Sequence, residues 1–225
     1  MTANSTSNCS ESLTNNIAQE ADNKLQKKRV TFTALYKPHE EISVLSEVGL
    51  IVIEDGWDEE SLLALKQQAE LGTLFAIQTT DQQIEKFEII DRMIICTADE
   101  VEQVVSVFQS VLPYQGFIAI DYRDIKKPWE ADKAARYVQT KVTGMPSAKL
   151  LEYAVNQLLK QIPKSLNIKS MVLNMESGHK ISQDEFSGVP DIIDSRISDD
   201  AEVFHGSRVT DKPNYYKLEA IYVAG

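Results

Sequence analysis

Along the first half of the chain, apolar runs of strand length alternate with segments of helical period. Val30–Tyr36 alternates and stops at Pro38, whereas Val48–Ile53, Thr73–Ile77 and Met93–Cys96 are continuous apolar runs. Such runs predict strands buried on both faces. Between them, Asp58 is placed to cap a helix reaching Leu71, with Gly72 as its stop. Asp99 with Glu102 fits a capping box for a helix that carries Val101, Val104, Val105, Phe108 and Val111 on one face and ends at Pro113. Buried strands alternating with amphipathic helices predict an α/β fold opening with a parallel, Rossmann-like layer.

Phe117–Ile120 is a further apolar run, opened by Gly116 and closed by Asp121-Tyr122-Arg123-Asp124. Asp121 and Asp124 lie one helical turn apart, so a helix starting there shows both on one edge. On spacing alone, Asp121 is a helix cap and Asp124 favours the positive helix end. Beyond it, Ala135–Val142 alternates like a half-buried strand, and Ser147 caps a helix with Leu150, Leu151, Ala154, Val155, Leu158, Leu159 and Ile162 on one side. Ser170–Met175 reads as a strand, Ser182 with Glu185 as a helix cap whose helix Pro190 kinks or delays, and Glu202–Gly206 with Tyr216–Val223 as a closing hairpin.

Composition narrows the function classes. Residues 1–28 are polar and short of large apolar side chains, the signature of a disordered tail. A formal net charge of −11 excludes a nucleic-acid or anionic-membrane partner as the first expectation. The two cysteines, Cys9 and Cys96, do not suggest a disulfide framework, and His39, His179 and His205 stand apart at no metal-ligand spacing. No metal and no cofactor is expected. Without a long apolar run or a basic-then-apolar leader, a cytoplasmic location is expected. Ser182 and Ser187 lack a nucleophile-elbow context, and Asp184 or Glu185 would pair with His179 only if the fold joins them. Trp57 and Trp129 each sit beside acidic residues near a helix start, which suits an apolar staple if buried and an interface anchor if exposed.

Residues 116–225 resemble the C-terminal domain of FtsZ, the bacterial tubulin relative. The family's loop G-L-x-N-x-D-F-A-D-V is similar to Gly116–Ile125, with both aspartates present as Asp121 and Asp124 and Tyr122 in place of Phe. The pattern V-L-x-N-x-x-G is similar to Val172–Gly178, Ile192-Ile193 match a following helix, and Tyr222–Gly225 resemble the family's V-A-T-G close. Residues 29–115 look like a truncated remnant of the family's GTP-binding domain. The resemblance therefore implies that this layer is followed by an FtsZ-like C-terminal α/β sandwich domain.

The departures bear on activity. Where the family has its phosphate-cradling G-G-G-T-G-T-G loop, the chain reads Glu54-Asp55-Gly56-Trp57-Asp58-Glu59-Glu60. A phosphate cradle needs close backbone approach and donors free of negative charge, so family-type GTP binding is not expected. The resemblance implies that Asp121 and Asp124 hold the place of carboxylates that position the attacking water on a neighbouring subunit's GTP. Ala119 stands where the family has Asn, and Arg123 where it has Ala. No catalysis is expected. A partner-binding face made of Asp121, Tyr122, Arg123, Asp124 and Trp129 is, with FtsZ or another FtsZ-like subunit as partner. An α/β scaffold with an unrelated protein-interaction role and, further off, a small-ligand binder are the alternatives.

Overall fold

A computed structural model describes residues 29–82, 87–111 and 134–225. The buried runs form strands β1 (Arg29–Tyr36), β2 (Val44–Val52), β3 (Thr73–Gln78) and β4 (Arg92–Ile95), and helix α1 (Glu59–Gln68) lies between β2 and β3. Asp58 caps α1 as expected, with Ser61 N donating to its carboxylate at 2.7 Å. The helix stops three residues short of Leu71, because Glu70 adopts a left-handed backbone (φ 56) and turns the chain before Gly72. Gly72 serves a different purpose: a Cβ there would sit 2.2 Å from Glu47 Oε1.

Helix α2 (Val101–Val111) follows β4 through a single 3-10 turn, Ala98–Glu100. The expected Asp99–Glu102 cap is corrected to Thr97 and Glu100, where Thr97 N donates to Glu100 Oε2 at 3.0 Å. The tight turn consumes Asp99, so the cap sits before it. The second half supplies β5 (Ala135–Thr143), α3 (Ala148–Leu159), β6 (Ile168–Ser177), the short helices α4 (Gln183–Phe186) and α5 (Val189–Asp194), β7 (Glu202–Val209) and β8 (Tyr215–Ala224). Ser147 caps α3, Ser182 and Glu185 form the expected box on α4, and Pro190 opens α5 as a separate helix.

All eight strands join one sheet in the order β1-β2-β3-β4-β5-β8-β6-β7. The ladders β2–β3, β3–β4 and β4–β5 are parallel, as expected for the first layer, and β8 is antiparallel to both β5 and β6. The expected β7–β8 hairpin is therefore wrong: β7 pairs in parallel with β6 at the sheet edge, and β8 inserts between β5 and β6. Burial gives the reason. Eight of the ten β8 residues are buried, which requires an interior position, whereas β7 is largely accessible. The expected division at residues 115 and 116 falls outside the described residues, and the sheet is continuous across it through Ile94↔Ala135 and Ile95↔Arg136.

The sheet curls around α2. Val104, Val107, Phe108 and Val111 share one core with Leu50, Phe75 and Ile94 from the first half and Tyr137, Val172 and Ile221 from the second. α2 also touches β1 and β7, the two opposite edge strands. On the outer face, α1 packs over β2 and β3 and α3 packs over β5, β6 and β8, in two separate cores.

Candidate functional site

β5 pairs with β4 only through its first two residues, so Tyr137–Thr143 run past the carboxyl end of β4. The inner faces of β5, β8, β6 and β7 carry polar side chains there, side by side. Glu219 on β8 is fully buried and accepts hydrogen bonds from Tyr137 Oη at 3.0 Å, Asn174 Nδ2 at 3.1 Å and Lys217 Nζ at 2.6 Å. A buried carboxylate is tolerated only when its lone pairs are met in this way. Burial pushes the Tyr137 hydroxyl far above its ordinary range, and the Glu219 charge adds to the shift, so Tyr137 remains a donor. Asn174 lies one position before the Asn of the V-L-x-N pattern, whose place Met175 takes. Asn174 is fully buried, and its Oδ1 finds no hydrogen-bond partner.

One pleat further along, Glu176 accepts from Tyr215 Oη and from Arg208 Nη2. Burial alone would raise the Glu176 carboxyl, but the Tyr215 and Arg208 bonds outweigh it and hold the group below its usual range. Lys141 lies over the Tyr215 ring at 5.3 Å, and Arg208 reaches Ser106 of α2 at 3.2 Å. The network thus ties four strands to the central helix. Its carboxylates are saturated with donors, which suits holding a surface in shape rather than moving protons. Sequence reading missed Glu219, Glu176, Tyr137 and Arg208. The available signal was Lys217 and Glu219 at alternate positions of an otherwise apolar strand.

The expected partner-binding residues Asp121, Tyr122, Arg123, Asp124 and Trp129 lie outside the described residues. What is described is the anchorage at each end of that segment. Val111, the last residue of α2, packs against Gly206 of β7, and Ala135 opens β5 against Ile94. Trp57 is buried in the α1 core with Leu62, the staple arrangement, and offers no exposed anchor.

The acidic stretch after β2 is placed in detail. Glu54 Oε1 accepts from Thr79 N at 2.7 Å, Thr80 N at 2.9 Å and Thr80 Oγ1 at 3.1 Å. At the carboxyl ends of parallel strands, backbone donors of this kind would otherwise be available to an anion. The fold does bring His179 to Glu185, with Nε2 and Oε1 2.8 Å apart, and Tyr216 Oη donates to the same oxygen at 2.6 Å. Ser177 Oγ donates to the His179 carbonyl and Ser182 Oγ to Glu185, so neither serine addresses the imidazole. Asp184 takes no part in that pair. Among the described residues, no group of three or more His, Cys, Asp or Glu is placed to hold a metal ion, and no helix is long and apolar enough to cross a membrane.

No family model matches the sequence, and no curated protein matches it. Solved structures do match in fold. A point mutant of FtsZ from M. jannaschii superposes with a TM-score of 0.57 at 10% identity, over 94% of this chain and 95% of that one. The fold is FtsZ/tubulin-like. The empty FtsZ dimer from M. jannaschii gives a TM-score of 0.60 at 13% identity, over 80% of this chain and 64% of that one. CetZ2 from Haloferax volcanii, in a GTPγS-bound protofilament, gives 0.53 at 10% identity, over 78% and 65%. The chain thus spans less than two thirds of the length of these last two. Both halves of the chain fall within the likeness to the FtsZ mutant, which covers 94% of it.

Proposed function

We propose that this FtsZ-like protein is a non-GTPase, protein-binding subunit that modulates the assembly of an FtsZ partner through the face bearing Asp121, Tyr122, Arg123, Asp124 and Trp129. The observation that carries the reading is the Glu54 carboxylate on the Thr79 and Thr80 amides. Amide donors at a strand end recognise phosphate only when they are open and unopposed by negative charge. Here a side chain of the same chain satisfies them, and Asp55, Asp58, Glu59 and Glu60 follow within six residues. Head-to-tail assembly needs two different faces per subunit. A subunit with a loop-bearing face and no nucleotide face joins one filament end and stops further addition.

The test is GTP hydrolysis and pelleting of the same organism's FtsZ, with this protein added at substoichiometric ratios. The expected result is a reduction in both that Asp121→Ala/Asp124→Ala abolishes, with no GTP turnover by this chain alone. Unchanged FtsZ activity and polymer mass at every ratio would sink the proposal and leave a scaffold with an unrelated partner.

A further inference from the structure

The two longest outer helices carry matching solvent faces of opposite charge. On α3, the exposed residues are Lys149, Tyr153 and Asn156, and Lys160 follows as its cap. On α1, Glu59, Glu60, Leu63, Gln67 and Gln68 are exposed, and Glu70 is exposed in the left-handed turn that follows. Each helix therefore presents one large apolar side chain and amide groups between charged residues, over about 15 Å or more of helix. The signs are opposite: lysine at both ends on α3, glutamate at both ends on α1. Tyr153 is 54% exposed and Leu63 is 49% exposed, and Met145, just before α3, is 78% exposed. These are three of the five large apolar side chains exposed among the described residues, two on the helices themselves and one just before α3.

The two helix faces cannot meet within one chain, because α1 and α3 are fixed over different cores on the outer face of the sheet. We infer that α1 of one copy docks on α3 of a second copy, with Leu63 against Tyr153 and Met145 and the terminal glutamates against Lys149 and Lys160. The contact joins two different patches, so it is heterologous and propagates into open chains or rings. Exposed ion pairs contribute little singly, and each copy carries a net charge of −11. The association is therefore weak and salt-dependent, with the charges setting register and partner choice more than affinity. This inference goes beyond the proposed function: it involves neither FtsZ nor the 121–129 segment, so either can fail alone.

Sedimentation velocity of the full chain, over a concentration series at low, physiological and high salt, reads the association directly. Wild type is expected to shift to larger species with concentration and to lose the shift at high salt. Lys149→Glu/Lys160→Glu, and separately Glu59→Lys/Glu70→Lys, are each expected to weaken association by about tenfold or more. Mixing the two variants, or combining all four substitutions in one chain, is expected to restore it. Circular dichroism checks the fold of each variant. If a charge variant does not fold, Leu63→Ser and Tyr153→Ser with the charges intact must still weaken association. A wild type that stays monomeric throughout, variants that associate like wild type, or a mixture that stays monomeric overturns the inference.

Discussion

Gly206→Ala tests the contact on which the end of α2 depends. The added Cβ would lie 2.7 Å from Val111 Cγ2 and 3.2 Å from Val111 Cα. A rotamer change of Val111 would relieve the methyl contact, but valine in a helix has one strongly preferred χ1, and the Cα moves only with the helix. Overpacking of this kind costs about 1–3 kcal/mol, and with Val111 in the main core the expected loss is about 2 kcal/mol. Val111→Ala alone removes two buried methyl groups, for about 1.5–2 kcal/mol. In the double variant the new methyl partly fills the space that Val111 leaves, so the two losses fall short of their sum by about 1 kcal/mol or more. Urea unfolding followed by circular dichroism gives all four corners of the cycle. Additivity to within about 0.5 kcal/mol would mean that residue 206 does not meet Val111, and the packing described for α2 against β7 would be wrong. Because the segment with Asp121 and Asp124 begins just after Val111, Gly206→Ala is also expected to weaken any effect on FtsZ more than its stability loss alone accounts for.

Other expectations follow from single groups. Burial would raise the Glu185 carboxyl, but bonds from Tyr216, Ser182 and His179 prevail and hold it at about 2. A carboxylate depressed in the folded state contributes stability above its unfolded value that disappears as pH falls through the folded one. Unfolding midpoints should therefore drop between about pH 4.5 and 2, and Glu185→Gln should flatten that limb; an unchanged slope rejects the pairing. The Cys96 thiol is pushed up to about 12 by burial and by the nearby Glu100, Glu54 and Asp99 carboxylates. In a Cys9→Ser background it should resist disulfide reagents at pH 8 until denaturant is added, and rapid native labelling would contradict its burial. Glu54→Ala leaves the Thr79 and Thr80 amides to water and is expected to cost about 1 kcal/mol, measured as a lower urea midpoint, without conferring GTP binding by equilibrium dialysis. Gain of GTP binding would show that Glu54 alone blocks an intact cradle.

Most elements of the fold were legible because their signals are local. The Asp58, Ser147 and Ser182 caps are each written within four consecutive residues, and buried strands such as Thr73–Gln78 announce themselves by composition. Strand order was not. The hairpin expected of β7 and β8 rested on adjacency in sequence, whereas their placement depends on β8 being buried on both faces beside two partners far away in the chain. The α2 cap was displaced because a 3-10 turn changes the helical count before the helix proper begins. The buried network escaped for the same reason as the topology. Tyr137 and Glu219 become neighbours only when β8 lies beside β5, and no spacing rule connects residues that far apart. The pairing of His179 with Glu185, six residues on, was open to sequence reasoning as a condition and needed only the turn geometry to meet it.

The burial of α2 has a consequence for how the chain is made. Its apolar residues are covered by side chains ranging from Phe32 to Val223. During synthesis β1 to β4 and α2 leave the ribosome first, and β6, β7 and β8 emerge last. Until they do, Val104, Val107 and Phe108 have only part of their cover. Exposed apolar surface of this kind invites chaperone capture or aggregation. A nascent chain halted after residue 111 is therefore a sticky half-wrapped helix, and release of the last strand, β8, is the event that closes the wrapping.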